Sequence, residues 1–364
     1  MIDINYNKLN LENNFKFDGN LEKWRFKIMV DRYSRQLILQ NIGEEGQEKL
    51  LKSQVVVVGC GALGTVAANN LARAGVGKIS LIDRDFVELN NLQRQMLFDE
   101  NDVGEPKAIA ASNKLHNINS DIEVEAIVKD LNHTNVEDIL KDANVVLDGT
   151  DNILTRMLVN DVCVDQGIPW IYTGAIGTAG MTMNIIPDKA CLRCLYPTIP
   201  KIGSLPTCDT MGVLNTITSI MGSMESTEAL KILLGKIKEG SDSNLIVYDA
   251  WSNSFDDVIV RKNQDCECCV KGNYEYLNAE DREIITSLCG RNAVQITPAD
   301  PKELSLAEMA SKLEPLGEVK LTPFILIFTS DNMEISLFKD GRAIIKGTND
   351  QKVARSIYAR YIGT

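Results

Sequence analysis

Apolar residues follow two rhythms along this chain. Val55-Val56-Val57-Val58 is an uninterrupted β-branched run, the pattern of a strand covered on both faces, and a helical pattern from Asp31 (Leu37, Ile38, Leu39, Ile42) leads into it. Thr65 to Ala74 is Ala-rich and helical, Lys78 to Ile82 reads as a strand, Lys107 to Leu115 as a helix and Asn144 to Leu147 as a further buried strand. This alternation predicts a doubly wound, Rossmann-like α/β sheet. Pro169 to Tyr172 and Met181 to Ile186 add strands, and Met211 to Leu234 forms one long helical segment ending near Gly235.

After Gly272 the pattern changes. A helix opens at Ser305 with Glu308 completing a capping box, and Val319 to Thr329, Met333 to Phe338 and Arg342 to Ile345 read as strands. Ser330-Asp331-Asn332 and Lys339-Asp340-Gly341 are the turns between them. A last helix from near Asn349 holds Val353, Ile357 and Ile362 on one side. The expected division is a polar extension over 1–30, a main domain over 31–274 and a small α+β module over 275–364.

Composition removes several functions. The 364 residues carry 38 Lys plus Arg against 50 Asp plus Glu, a net charge of −12, which opposes binding to nucleic acid or anionic lipid. The longest charge-free stretch, Ser53 to Ala72, is interrupted by Gly59, Gly61, Gly64, Asn69 and Asn70, so no membrane span is expected. The polar start, Met1 to Asn20, lacks the order of a secretory signal, and the expected location is the cytoplasm. With only His116 and His133, a His-centred triad has almost no material.

Candidate chemistry clusters after the strands. Gly59-Cys60-Gly61-Ala62-Leu63-Gly64 joins a strand to a helix, where glycines permit a tight turn and close approach of phosphates to free amides; Asp83, ending the next strand, is placed for ribose hydroxyls. The alternative is a tight turn with no ligand, and a nicotinamide dinucleotide uses the same fingerprint. Arg94 and Lys107 add cations suited to a triphosphate, although isolated arginines and lysines are usually solvated charges. Asp151, in Asp148-Gly149-Thr150-Asp151-Asn152, is placed to hold Mg²⁺, with helix capping the competing use of this segment.

Nine cysteines include two C-x-x-C pairs. Cys191, Cys194, Cys266 and Cys269 can supply four thiolates to a structural Zn²⁺, against a reading as buried reduced thiols or a redox pair. Cys268 falls off the spacing, while Cys60, Cys163 and Cys289 read as small apolar fillers. Cys208, behind a Pro- and Gly-containing loop, is a candidate nucleophile.

Arg32-Tyr33-Ser34-Arg35-Gln36, the glycine loop, Asp83-Arg84-Asp85, Asn91-Leu92-Gln93-Arg94-Gln95, Gly104-Glu105-Pro106-Lys107, Thr150-Asp151-Asn152 and both C-x-x-C pairs together resemble the MoeB/ThiF/HesA family, relatives of the ubiquitin-activating enzyme. The resemblance spans about residues 31 to 272 and implies ATP-dependent adenylation of the C-terminal glycine of a small ubiquitin-like protein ending in Gly-Gly. By that likeness Asp83 binds ribose, Arg94 and Lys107 the phosphates, Asn91 forms a polar wall, Asp151 holds magnesium, and Arg35 reaches across a homodimer into the partner's site. Cys208 matches a thiol that takes up the activated carboxyl or its sulfur, with a cysteine desulfurase or rhodanese as donor. The pathways implied are molybdopterin, thiamine or thiolated-tRNA synthesis, or protein tagging. Cys289-Gly290-Arg291 departs from the cysteine loop of a fused rhodanese, leaving recruitment of the carrier, recruitment of a sulfur donor, or extension of the core as roles for residues 275–364. A NAD-dependent oxidoreductase and an inactive regulatory homologue are the competing readings.

Overall fold

The computed structural model describes residues 31–199, 208–237, 243–278, 284–288, 292–298, 304–330 and 333–363. Residues 1–30 and Cys289 lie outside them. Two compact units are distinguished, Met1–Lys49 and Leu50–Thr364. In the first, residues 31–37 form a helix, α1, and Gly43 opens α2 (Gly43–Leu51), with Gln36 Nε2 donating to Gln47 Oε1 at 2.7 Å.

The second unit contains two sheets. In the larger, β1 (Gln54–Val58), β2 (Lys78–Ile82), β3 (Glu123–Ile127), β4 (Val145–Asp148) and β5 (Trp170–Ile176) run parallel. The strands β6 (Ala179–Ile185), β7 (Ser243–Asp249) and β8 (Ser254–Val260) continue the sheet antiparallel, in the order β3-β2-β1-β4-β5-β6-β7-β8. The helices are α3 (Ala62–Ala74), α4 (Lys107–Ile118), α5 (Val136–Leu140) and α6 (Ile153–Gln166), then two four-residue turns, α7 (Leu192–Leu195) and α8 (Cys208–Met211), and the long α9 (Asn215–Leu233).

The valine run of β1 explains why the sheet is doubly covered. Val55 and Val57 pack with Leu71 of α3 and Leu115 of α4, whereas Val56 and Val58 join Met157 and Val162 of α6 on the opposite face. Each such valine contributes about 1.5–3 kcal/mol on burial. The chain winds outward from β1 through β2 to β3, then returns to β4 on the other flank. The carboxyl ends of β1 and β4 therefore meet at the topological switch point, where sheets of this kind bind ligands.

The smaller sheet has β9 (Ile284–Leu288), β10 (Ala293–Thr297), β11 (Glu318–Leu321), β12 (Ile325–Ser330), β13 (Met333–Phe338) and β14 (Ala343–Lys346) in the order β11-β12-β13-β14-β10-β9. Helices α10 (Leu306–Leu313) and α11 (Gln351–Tyr361) cover it, burying Met309, Leu313, Ala354 and Tyr358 against Phe328, Leu337 and Ile345.

Four expectations change. Val319 to Thr329 is two strands: Pro323 offers no N–H to a ladder, and Thr322 turns the chain by accepting the Phe324 and Ile325 amides on its hydroxyl. The helix expected from Met211 is interrupted at Gly212, whose φ of +73° ends α8 before α9 begins. In α11 the buried positions are Ala354 and Tyr358, and Val353 is exposed. The strands β3, β7, β8, β9 and β10 were not foreseen; Glu123-Val-Glu-Ala-Ile and Ser254-Phe-Asp-Asp-Val-Ile-Val carry charges through strands that lie at the two edges of the larger sheet.

Candidate functional site

The switch point begins with backbone packed against backbone. Gly59 follows β1 with φ +93°, and a Cβ on Gly64 would stand 1.9 Å from its carbonyl oxygen. A Cβ on Gly149, after β4, would stand 2.2 Å from the same oxygen. Two of the expected phosphate-loop glycines therefore also let the β1 and β4 loops touch, with Gly149 an unforeseen third. Gly61 caps α3 with no side-chain acceptor, which leaves the helix N-terminus to an external anion.

Asp83, just past β2, accepts hydrogen bonds from the Cys60 amide (2.6 Å) on one carboxylate oxygen and from the Asp85 amide (2.7 Å) on the other. Burial raises its proton affinity, and Lys107 opposes the rise. Lys107 is the first residue of α4 and only 6% exposed; its amide donates to the Asp85 carbonyl (2.9 Å), and its ammonium lies 3.5 Å from the Asp85 carboxylate. Asn91, at 1% exposure, accepts the Glu88 amide on its Oδ1 in a reciprocal cap, and Arg94 Nη1 donates to the Asn90 carbonyl.

A charged cluster supports the loop after β4. Asp148 accepts Thr150 N–H (2.9 Å) and O–H (2.7 Å) on one oxygen and Arg156 Nε (2.7 Å) on the other. Arg156 Nη2 donates to the Thr150 (2.6 Å) and Thr173 (3.0 Å) carbonyls, fixing the backbone immediately before Asp151. Burial works against the Arg156 charge, but Asp148 more than restores it. Glu225 of α9 accepts the Asp148 amide at 2.8 Å from below, and burial, with Asp148, pushes its carboxyl well up. Capping of α6 falls to Asn152, whose side chain accepts the Leu154 amide, so Asp151 is released from that duty and stands exposed.

The four expected thiols also converge. Cys191 caps the start of α7 and Cys194 lies within it, Sγ separations are 3.6 Å for Cys191–Cys266, 3.5 Å for Cys194–Cys269 and 4.0 Å for Cys191–Cys194, and all four sulfurs lie within 4.8 Å of one another. Tetrahedral Zn–S bonds would separate sulfurs by about 3.8 Å, so the set fits zinc. Asn160 of α6 accepts the Leu192 amide and donates to Cys268 Sγ (3.2 Å), while Asp161 accepts the Tyr276 amide, tying this knuckle to the main sheet. Cys268 is thus buried beside the cluster. Cys163 and Cys60 are buried, and burial pushes both thiols up.

Arg35 is exposed on α1, in the first unit. Cys208 opens α8, and its side chain lies outside the described ones. The residues that went unforeseen are Gly149, Arg156 and Glu225; only the Asp148–Asn152 motif hinted at them. Among the described residues no helix is long and apolar enough to cross a membrane.

Fold and site together define a Rossmann-like α/β protein with a nucleotide-type switch point and a four-cysteine cluster. The ThiF family profile matches residues 33–269, and the chain belongs to the ThiF family. It is 40% identical over 341 residues to the sulfur carrier protein ThiS adenylyltransferase of Bacillus subtilis, covering 92% of this chain and 100% of that protein. It is also 40% identical over 258 residues to the SAMP-activating enzyme E1 of Haloferax volcanii, covering 71% of this chain and 94% of that one. Among solved structures, Escherichia coli MccB with ATP aligns with a TM-score of 0.57 at 25% identity, over 65% of this chain and 73% of that one.

Proposed function

We propose that the protein uses ATP to adenylate the C-terminal glycine of a small ubiquitin-like sulfur carrier or modifier. The observation that carries this reading is the meeting, at one switch point of a ThiF-family chain, of the glycine cradle, buried Asp83 and the Lys107 ammonium. The names of the relatives support the reaction, and the ATP in the MccB structure supports the nucleotide. Exposed Trp251, Phe255 and Ile259 on and beside β8, the last strand of the larger sheet among the described residues, suit a protein substrate.

In this mechanism Asp83 accepts the ribose hydroxyls. The first-turn amides of α3, Lys107 and Arg94 neutralise phosphate oxygens, and Asn91 forms the polar wall. A carboxylate oxygen of the carrier attacks the α-phosphorus. A P–O bond to the carrier forms, the bond to the α–β bridging oxygen breaks, and pyrophosphate leaves with the electron pair. The attacking carboxylate is already ionised at neutral pH, so no general base is needed and two histidines suffice. Asp151 is the Mg²⁺ ligand, and the ion when bound supplies charge neutralisation on the phosphates.

The Cys191, Cys194, Cys266 and Cys269 site holds Zn²⁺ structurally, since four protein thiolates leave no open position. Arg35 acts in trans within a homodimer, and Cys208 acts after adenylation, taking up either the activated carboxyl as AMP leaves or the sulfane sulfur of a persulfide-bearing donor, which departs as its thiol; the setting is cytoplasmic. Incubating the purified protein with ATP, magnesium and a Gly-Gly-ending carrier, then weighing the carrier, should reveal an added adenylyl group. A carrier of unchanged mass while ATP binds would favour the regulatory reading; tight NAD binding without ATP binding would favour the oxidoreductase.

A further inference from the structure

We propose that Arg342, carried by the smaller sheet, is a positioning residue for the nucleotide, fixing the Asp83–Phe86 segment through the Arg84 carbonyl. The inference rests on the reading of Asp83 and Lys107 as nucleotide-binding groups.

Arg342 follows the turn between β13 and β14 and is 2% exposed. Its guanidinium lies 3.6 Å from the centroid of the Phe338 ring, which in turn packs against Phe86 with centroids 5.5 Å apart. Its Nη2 donates to the Arg84 carbonyl at 2.8 Å, joining positions 258 residues apart. The remaining donors are poorly served: Nε is 3.9 Å from the Asp340 carboxylate, and neither Nε nor Nη1 has a hydrogen-bond partner among the described residues. Burying a guanidinium with two unmade hydrogen bonds costs free energy that an aliphatic side chain of the same length would avoid. Burial and the nearby Arg84 charge also lower its proton affinity. Stability of the smaller sheet therefore does not explain an arginine here, whereas its bond to Arg84 does.

The segment it holds carries both halves of the nucleotide site. Asp83 precedes the bonded carbonyl, and Asp85 follows it, accepting the Lys107 amide on its own carbonyl and facing the Lys107 ammonium. On the other side the Arg84 side chain is anchored to Asp130 at 2.8 Å. With the Arg84 peptide fixed by Arg342, the spacing of the ribose carboxylate and the phosphate cation is fixed too. Releasing it loosens ribose recognition first, because the amide of that same Arg84–Asp85 peptide donates to the Asp83 carboxylate. The smaller sheet is then part of the nucleotide site's support, a role beyond recruitment of carrier or sulfur donor.

The test measures equilibrium binding of ATP, 2′-deoxyATP and 3′-deoxyATP to the full-length protein and to Arg342→Met, Arg342→Lys and Phe338→Leu, together with melting temperatures. In Arg342→Met, ATP affinity should fall about tenfold while the deoxy analogues change less than about threefold, so that preference for the intact ribose shrinks. Arg342→Lys, which keeps one donor, should recover part of that preference. A purely structural role would weaken all three nucleotides alike. Folded variants that keep the parental ratio of ATP to deoxyATP binding overturn the inference; if Arg342→Met does not fold, an unchanged ratio in the other two does the same. A parent protein that binds no ATP, or does not distinguish the deoxy analogues, defeats the underlying site reading instead.

Discussion

The parallel and antiparallel halves of the large sheet solve different problems. The strands β1 and β4 are almost completely buried, and the groups assigned to the nucleotide hang from loops at their carboxyl ends and those of β2. The outermost antiparallel strand, β8, is exposed along nearly its whole length, and the thiol cluster lies beside this half of the molecule. A sheet covered on both faces holds loop geometry to a fraction of an ångström, as catalysis requires. An uncovered edge offers backbone and apolar side chains to another protein, and a four-cysteine cluster with the spacing to hold a metal stands beside it. Chemistry should therefore be separable from metal-dependent stability.

The largest separation is expected from Asp151→Ala: adenylation should drop by about 10²–10³-fold, the range seen when one charge-stabilising group is removed. Melting temperature and bound zinc should stay at parental values, and a parental turnover would remove Asp151 from the magnesium role. Conversely, Cys266→Ser should weaken zinc binding by at least about a hundredfold and lower the melting temperature. Adenylation per folded molecule should stay within about threefold of the parent, because the cluster is assigned a structural role alone. Abolished turnover in protein that remains folded would join the two halves functionally.

Glu225→Gln probes the floor of the switch point with a smaller effect. Burial raises its folded proton affinity above the ordinary value of 4.5, so the fold keeps a proton that the unfolded chain releases. Its favourable contribution is complete below the unfolded value and is lost as pH rises toward the folded one. The amide cannot ionise, so the melting temperature of the variant should fall less than that of the parent as pH rises from the ordinary carboxyl value toward the raised one. Parallel melting curves for the two proteins across that range would show the carboxyl to be ionised throughout.

The centre of the parallel half and the thiol cluster were legible in sequence because their signals are local: a valine run, a glycine turn and an aspartate at a strand end for the one, cysteines at metal spacing for the other. The groups that stayed hidden act across the chain. Glu225 meets Asp148 only after α9 folds back under β4, and Arg342 meets Arg84 only when the smaller sheet docks. Nothing local marks Gly149, whose lack of a side chain matters only once the β1 and β4 loops come into contact. The hairpin at Pro323 was hidden by the apolar residues on either side of it, which mimic one continuous strand.

The central claim is tested most directly by ATP–pyrophosphate exchange, run with each small Gly-Gly-ending protein from the same genome and with a copy of it lacking the final glycine. Exchange should require one intact carrier, disappear with the truncated copy and be lost in Asp151→Ala. Exchange that proceeds without any carrier, or is absent with every carrier while the protein binds ATP, would contradict the claim.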